Sequence, residues 1–305
     1  MRNIRQFYTG ILKHGIRLSF PLWQKMGLHV VPNHFYEPVP DTRTLDDEVW
    51  QNQTEMVGVD MNVEKQIELL SLFSDKYREE YGRFPDNPTS TASQYYLENN
   101  SFISVDAEIL YCMVRHYRPE RVLEVGSGFS TFIAAEAIRR NMDEDPGYNC
   151  VFRAIDPYPN DTVRSGFAGF NGVIVEKVED VPLTIFEELG ENDILFIDSS
   201  HVLKIGSDVQ YEYMELIPRI KPGVIVHIHD IFLPAEYPKE WVMNRHVFWN
   251  EQYLLQAFLA FNESYKVIWA ASFMNLRHPD KLAKYFNSYQ RNDTRPGSFW
   301  FKRVK

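Results

Sequence analysis

The chain has 305 residues, 44% of them hydrophobic, and a formal net charge of −10 at pH 7. This length and apolar content predict one domain with a full core plus a substantial extension. The acidic balance argues against a nucleic-acid partner, because neutralising phosphates requires clustered Lys and Arg. A small molecule or a neutral glycan is a better match. Two cysteines offer no disulfide framework and no apolar run is long enough to span a membrane, so we expect a cytoplasmic protein without a transmembrane segment.

The first 36 residues contain basic side chains and no acidic one. The basic residues are Arg2, Arg5, Lys13, Arg17 and Lys25. One interpretation is an amphipathic segment that rests on a membrane surface or on an acidic partner. We favour the other interpretation, in which this arm docks on the protein's own acidic body or on a second copy in a homo-oligomer.

Apolar residues at three- and four-residue spacing predict a helix over residues 62–81. The segment that follows, 82–93, is rich in Pro, Ser and Thr and marks the predicted boundary region. We therefore divide the chain into an N-terminal helical extension, 1–100, and a main domain, 101–305. The extension is expected to form a lid, a wall of the binding pocket or a dimer contact.

In the main domain, strand and helix patterns alternate. Apolar segments bounded by turn residues predict strands at 121–125, 151–155, 172–178, 193–197, 223–229, 265–270 and 298–304. Helix-length intervals separate the first five strands, and a strong helix is predicted over 249–261. This alternation is typical of a parallel α/β sheet.

Ligands of such sheets bind at the carboxyl ends of the strands. Glu124 ends the first predicted strand, and the glycine-rich turn after it, 126–128, permits a close approach to a ligand at a helix N-terminus. The dinucleotide fingerprint is incomplete, because Thr131 replaces its third glycine. Asp156 ends the second strand, where a carboxylate can bind ribose hydroxyls or simply stabilise the turn before Pro157.

The segments VLEVGSGFS, IDP, ILFIDSSH and IPRIKPGVIVHIHD, in this order, resemble the class I S-adenosylmethionine-dependent methyltransferases. The resemblance implies a Rossmann-like sheet of seven mostly parallel strands with an antiparallel last strand. It also implies an adenine contact at the end of the third strand, from Glu179 or Asp180, and a ribose contact from Asp156. The other residues expected in the cofactor pocket are Glu124, Gly126, Ser127, Gly128, Ser130 and Asp198.

Asp198 and Asp230 end the fourth and fifth predicted strands, which should lie side by side. Two carboxylates this close repel each other unless a positive group lies between them, and oxygen ligands favour Mg²⁺, Ca²⁺ or Mn²⁺. The arrangement is similar to macrocin O-methyltransferase-like and cephalosporin hydroxylase-like family members. That similarity implies a divalent cation, Mg²⁺ or Mn²⁺, at Asp198, His229 and Asp230, although His229 stands where those members prefer a carboxylate.

The same similarity places His201, three residues after Asp198, as a base. An imidazole with an ordinary pKa near 6.5 accepts a proton at neutral pH, although a histidine after a strand is also a common loop or cap residue. We expect His227 to pack within the sheet. Glu251 is interpreted as a first-turn acid of the predicted helix. Tyr237 either offers a ring face to a substrate or simply closes a pocket or an interface.

These observations predict a methyltransferase that uses S-adenosylmethionine to methylate a hydroxyl of a sugar or a natural-product-like small molecule. Two alternatives stay open at this point. A nicotinamide-dependent oxidoreductase would share the sheet and Asp156, and a non-catalytic S-adenosylmethionine-binding protein would share the whole pocket.

Overall fold

The computed structural model describes residues 2–291 and 295–305, and the side chains of 14–289 and 295–305. The chain forms two compact units. The smaller unit comprises Met1–Gln51 and Pro238–Phe248, and the larger one comprises Asn52–Tyr237 and Trp249–Lys305.

The larger unit contains a seven-stranded sheet. Its strands are β1 (Arg121–Val125), β2 (Val151–Ile155), β3 (Val173–Ile174), β4 (Ile194–Ile197), β5 (Ile225–Ile228), β6 (Tyr265–Ala270) and β7 (Phe299–Arg303). The strand order is β3-β2-β1-β4-β5-β7-β6, with β7 antiparallel to both of its neighbours. The predicted fold class is confirmed. The third strand is shorter than predicted, because only Val173 and Ile174 pair with β2, and a 3₁₀ helix, Val178–Asp180, follows after three further residues.

Both faces of the central strands are buried, which explains why β4 and β5 are uninterrupted apolar runs except for one histidine. In the parallel pairing, Ile197 of β4 lies opposite Ile228 of β5. The residues that follow these two strands therefore emerge next to each other at one edge of the sheet.

Helices cover both faces of the sheet. Those of the larger unit are α3 (Val63–Tyr81), α4 (Asp106–Tyr117), α5 (Phe129–Glu144), α6 (Asp161–Ser165), α7 (Thr184–Glu187), α8 (Asp208–Tyr211), α10 (Glu251–Leu259), α11 (Ala271–Arg277), α12 (Pro279–Tyr285) and α13 (Asn287–Arg291). The predicted helices at 62–81 and 249–261 are confirmed, the second with shorter ends. A π-helical turn, Glu212–Leu216, follows α8.

Helix α3 belongs to the core of the larger unit. Its Leu70 and Phe73 are fully buried in one cluster with Trp269 and Trp300 of the sheet. The segment 52–100 therefore belongs to the same unit as the sheet, because α3 buries large apolar side chains against it. The role of residues 1–100 as a lid, a pocket wall or a dimer contact stays a prediction.

The smaller unit contains α1 (Arg2–Lys25), α2 (Glu48–Gln51) and α9 (Lys239–Met243). The side chains of Arg2, Arg5 and Lys13 lie outside the described residues. Arg17 forms an ion pair with Glu37 at 2.5 Å, within the same unit. In the described part of the chain, no helix has the length and apolar character that a membrane crossing requires.

Candidate active site

The turn between β1 and α5 requires glycine at its first position. Gly126 has a left-handed φ of +90°, and a Cβ atom there would clash with the backbone carbonyl oxygen of Asp198. Gly128 is different, because a Cβ there would enter open space. Its N–H donates a hydrogen bond to the hydroxyl of Thr131 at 2.9 Å, so Thr131 stabilises the first turn of α5.

A cavity of about 510 Å³ opens over this turn. Four of the predicted cofactor residues line it, namely Ser127, Gly128, Ser130 and Asp198. Aromatic walls come from Phe102 and from Tyr96, and the Tyr96 ring packs edge-on against Phe129 at 5.1 Å. The cavity has the size and the mixed polar and aromatic lining typical of small-molecule sites.

Glu124 lies beneath this turn and is only 1% exposed. The hydroxyl of Ser130 donates a hydrogen bond to its Oε1 at 2.5 Å, whereas Oε2 has no partner within the described residues. Burial raises the pKa of Glu124 to about 8. A cationic ammonium group, such as that of S-adenosylmethionine, would supply the missing partner and favour the ionised carboxylate. The residues present therefore fit this cofactor.

Asp156 follows β2 and stabilises the turn before Pro157, which is one of the two roles considered for it above. Its carboxylate accepts a hydrogen bond from the Tyr158 N–H at 2.7 Å and another from the Ser127 hydroxyl at 2.5 Å. The contact with Ser127 connects Asp156 to the glycine-rich turn. The predicted contact between Asp156 and a ribose stays a prediction. Of the two adenine candidates, Glu179 is half-buried and lies 3.8 Å from Lys177, and Asp180 is exposed.

Carboxylates and imidazoles converge where β4 and β5 end. Nε2 of His201 lies 3.2 Å from Oδ1 of Asp198 and 3.6 Å from Oδ2 of Asp230. His201 and Asp230 both have left-handed backbones, with φ of 59° and 54°. Non-glycine residues adopt this conformation at a cost, and such positions cluster at functional sites.

The residues that begin α10 hold His201 in place. Glu251, which is completely buried, pairs its Oε2 with Nδ1 of His201 at 2.8 Å. The backbone N–H groups of Asn250 and Glu251 donate to the carbonyl oxygen of His201 at 3.1 and 3.3 Å. The Trp249 ring packs against the imidazole at 4.4 Å. Glu251 is therefore part of the site and not merely a first-turn acid. No spacing pattern in the sequence indicated this contact with His201.

The environment of His201 corrects the expectation of an ordinary pKa. Burial alone would lower the pKa of His201, but hydrogen bonds with Asp198 and Glu251 outweigh burial and raise it to about 10. In this arrangement the imidazole is protonated at neutral pH and cannot accept a proton. The sequence-based expectation of an ordinary pKa left out Glu251, and the role of His201 as a base stays a prediction.

His229 lies on the other side of the two aspartates. Its Nδ1 is 3.7 Å from Asp198 and 3.8 Å from Asp230, and its Nε2 is 3.4 Å from Asp106. Burial alone would lower the pKa of His229, but these carboxylates raise it well above its ordinary value. Asp106 also accepts hydrogen bonds from the N–H groups of Gly297 and Ser298 at 2.8 and 3.0 Å. The sequence analysis missed Asp106, because it begins α4 and follows no strand.

Three of these side chains can offer one ligand atom each within a small space. Those of Asp198, His201 and Asp230 lie within 4.8 Å of one another. Glu251 contacts the second ring nitrogen of His201, as carboxylates commonly do behind metal-bound histidines. The carboxylates of Asp198 and Asp230 fit a divalent cation, with His201 as a third candidate ligand. The predicted ligand His229 lies 3.7 and 3.8 Å from the same two aspartates, and its role stays a prediction.

Two further residues clarify the surroundings of the site. His227 is fully buried, as expected, and stacks on the Trp300 ring at 4.2 Å. Of the two roles left open for Tyr237, a closing role fits better, because the residue is only 2% exposed and its hydroxyl accepts a hydrogen bond from the Gln252 N–H at 3.1 Å. Tyr237 therefore supports α10 rather than a substrate.

Residues 123–231 match the family model described as a Methyltransferase domain. This match assigns residues 123–231 to a class I S-adenosylmethionine-dependent methyltransferase domain. The matched segment begins within β1, ends three residues after β5 and includes the predicted cofactor, metal and base residues. The family assignment confirms the predicted class of enzyme and disfavours a nicotinamide-dependent oxidoreductase.

Relatives of this methyltransferase include an uncharacterized protein of Archaeoglobus fulgidus. It is 31% identical over 179 residues, which cover 56% of this chain and 78% of the relative. An O-methyltransferase from Bacillus cereus in complex with SAH aligns with a TM-score of 0.39 and 12% identity, over 95% of this chain and 100% of that chain. A SAM-dependent methyltransferase from Anabaena variabilis aligns with a TM-score of 0.31 and 11% identity, over 83% and 100% of the two chains.

Proposed function

We propose that this methyltransferase methylates a hydroxyl group of a small-molecule acceptor bound at Asp198, His201 and Asp230. One observation carries the proposal. Asp198 lines the cavity over the glycine-rich turn and also lies 3.2 Å from Nε2 of His201. An acceptor held by the three side chains would therefore lie next to a cofactor bound in that cavity, which is the arrangement that direct transfer requires.

The transfer is an in-line displacement. The acceptor oxygen forms a bond to the methyl carbon as the bond between that carbon and sulfur breaks, and the electron pair of the broken bond stays on sulfur. The imidazolium of His201 first releases its Nε2 proton to solvent, and Nε2 then accepts the hydroxyl proton of the acceptor. Glu251 then keeps the remaining proton on Nδ1, so the lone pair of Nε2 faces the acceptor.

The cluster as a whole is rich in negative charge. Four carboxylates, those of Asp106, Asp198, Asp230 and Glu251, surround the two imidazoles of His201 and His229. A divalent cation held by Asp198 and Asp230, which leaves Nε2 of His201 free for the proton, would oppose this charge and lower the pKa of an acceptor hydroxyl. The oxygen donors of the two aspartates suit Mg²⁺ or Mn²⁺.

The acceptor is expected to be a sugar or a natural-product-like molecule with a free hydroxyl. The aromatic rings of Tyr96 and Phe102 in the cavity wall suit the apolar face of such a ring. The two flanking carboxylates suit hydroxyl donors.

Transfer of a labelled methyl group from S-adenosylmethionine to a panel of sugars and phenolic compounds tests the proposal. Asp198→Asn should abolish transfer to any acceptor that the wild type methylates. Asp193→Asn is the matched control, because Asp193 lies at the opposite end of β4 and accepts hydrogen bonds only from backbone N–H groups, those of Arg121 and Gly190, within the described residues. Equal turnover in the Asp198 variant and in its control would overturn the proposal.

A calorimetric titration of Mn²⁺ tests the cation separately. The wild type should bind Mn²⁺, and Asp198→Asn should bind it more weakly. Full activity in excess chelator would show that the reaction needs no cation.

A further inference from the structure

A second cavity, of about 420 Å³, lies between α3, α4 and the helices α12 and α13. The lining residues relevant to ligand binding are Arg78, Tyr81, Glu108, Tyr285 and Ser288. It shares no lining residue with the cavity over the glycine-rich turn. Its volume is within the range of small-molecule sites.

Glu108 gives this cavity a buried polar wall. The side chain is 1% exposed, and its Oε1 accepts a hydrogen bond from the hydroxyl of Ser288. The Ser288 hydroxyl in turn lies 2.7 Å from that of Ser104. Oε2 of Glu108 has no partner in the part of the chain that the structure describes. Buried polar atoms are nearly always paired, and among the described residues this oxygen keeps a hydrogen bond that a ligand in the cavity can use.

The chemistry of that partner follows from the carboxyl group. Burial raises the pKa of Glu108, so the group can be present as an acid that donates or as a carboxylate that accepts. A hydroxyl both donates and accepts, and can therefore pair with Oε2 in either state. An ammonium only donates and a carbonyl only accepts. A ligand hydroxyl is thus the best match for this wall.

Arg78 lies at the exposed end of the same cavity. Its Nη2 is 3.5 Å from Oδ1 of Asn287, and among the described residues it forms no ion pair. A guanidinium with free donors matches the geometry of a carboxylate. The rings of Tyr81 and Tyr285 contribute apolar wall between the two polar ends.

We propose that this cavity binds a small hydroxy-carboxylate, such as a sugar acid, with its hydroxyl on Glu108 and its carboxylate on Arg78. The site is separate from methyl transfer and does not depend on the proposed acceptor.

Calorimetry with glucuronate, glucose and acetate on the full chain tests the proposal. Glucuronate should bind, whereas glucose lacks the carboxylate and acetate lacks the hydroxyl, so both should bind at least about tenfold more weakly. Arg78→Gln should weaken glucuronate binding by a similar factor and leave methyl transfer unchanged. Arg83→Gln is the matched control, because Arg83 follows the same helix and does not line this cavity.

Three results would overturn the proposal. Equal affinities for glucose and glucuronate would show that Arg78 does not bind the carboxylate. Loss of glucuronate binding in Asp198→Asn but not in Arg78→Gln would place the ligand in the methyl-transfer site instead. If glucuronate does not bind at all, the free oxygen of Glu108 is satisfied by water and the cavity is structural. Ser288→Ala, which leaves Glu108 in place, provides a second variant if the Arg78 variant does not fold.

Discussion

Replacing Glu251 with glutamine should lower turnover without weakening cofactor binding. Glu251 contacts Nδ1 of His201 at 2.8 Å and is not among the residues that line the cofactor cavity. Glutamine has the same size but no charge, and its amide can present either a donor or an acceptor to the imidazole. His201 then loses the group that keeps a proton on Nδ1 and the lone pair on Nε2. We expect kcat to fall while KM for S-adenosylmethionine stays the same.

The size of the effect follows from the type of contact. A hydrogen bond to a charged group is worth about 1.5 to 3 kcal/mol, which corresponds to a factor of about 10 to 150. Replacing the carboxylate behind a metal-bound histidine typically costs about 10- to 100-fold in activity or metal affinity, which is a similar range. The backbone contacts from Asn250 and Glu251 to the His201 carbonyl persist in the variant, so the loop should keep its position.

Steady-state kinetics and nitrogen NMR of the imidazole together test this prediction. In the wild type Nδ1 should carry a proton in every state of His201, and in Glu251→Gln this preference should be lost. Glu212→Gln is the matched control, since Glu212 is also fully buried but accepts its hydrogen bond from Ser199 at 3.1 Å. Glu251→Asp, which keeps the charge, should recover part of the activity. The reasoning fails if a folded Glu251→Gln keeps its kcat, or if both glutamine variants lose the same amount.

The remaining predictions concern the cofactor cavity. Burial raises the pKa of Glu124 from 4.5 to about 8, so the folded state holds this proton more tightly than the unfolded state and stability should fall by up to about 5 kcal/mol as pH rises between these values. Denaturant titrations of Glu124→Gln should lack that slope, and an unchanged slope would contradict the assignment. Gly126→Ala should lower the melting temperature because of its left-handed φ, and an unchanged melting temperature would contradict this reason. Gly128→Val should block cofactor binding, and an unchanged affinity in a folded variant would contradict a close approach of the cofactor to this turn. Asp156→Ala should weaken S-adenosylmethionine binding by about tenfold or more, and an unchanged affinity by calorimetry in a folded variant would rule out the ribose contact.

The sheet could be predicted because its signals are local. The apolar runs of β4 and β5 and the glycine-rich turn after β1 each occupy a few consecutive residues. Since parallel strands place their carboxyl ends at one edge, the order of the strands was enough to bring Asp198 and Asp230 together. The structure confirms that convergence, with His201 between the two carboxylates.

The partners of the two histidines could not be predicted, because they come from distant parts of the chain. Glu251 lies 50 residues after His201, and Asp106 precedes His229 by more than a hundred residues. Both begin helices, where an acidic residue is commonly explained by the helix dipole alone. The pKa of His201 depends on Glu251, so the sequence alone led to an ordinary value instead of about 10.

Carbon NMR of the reaction product tests the central claim most directly. The enzyme is incubated with S-adenosylmethionine carrying a ¹³C-labelled methyl group and with the best acceptor from the panel. The account predicts one new signal, at the chemical shift of a methyl group bonded to oxygen, which disappears when Asp198→Asn replaces the wild type. A labelled methyl group bonded to nitrogen, carbon or sulfur, or a methyl ether formed equally well by Asp198→Asn, would contradict it.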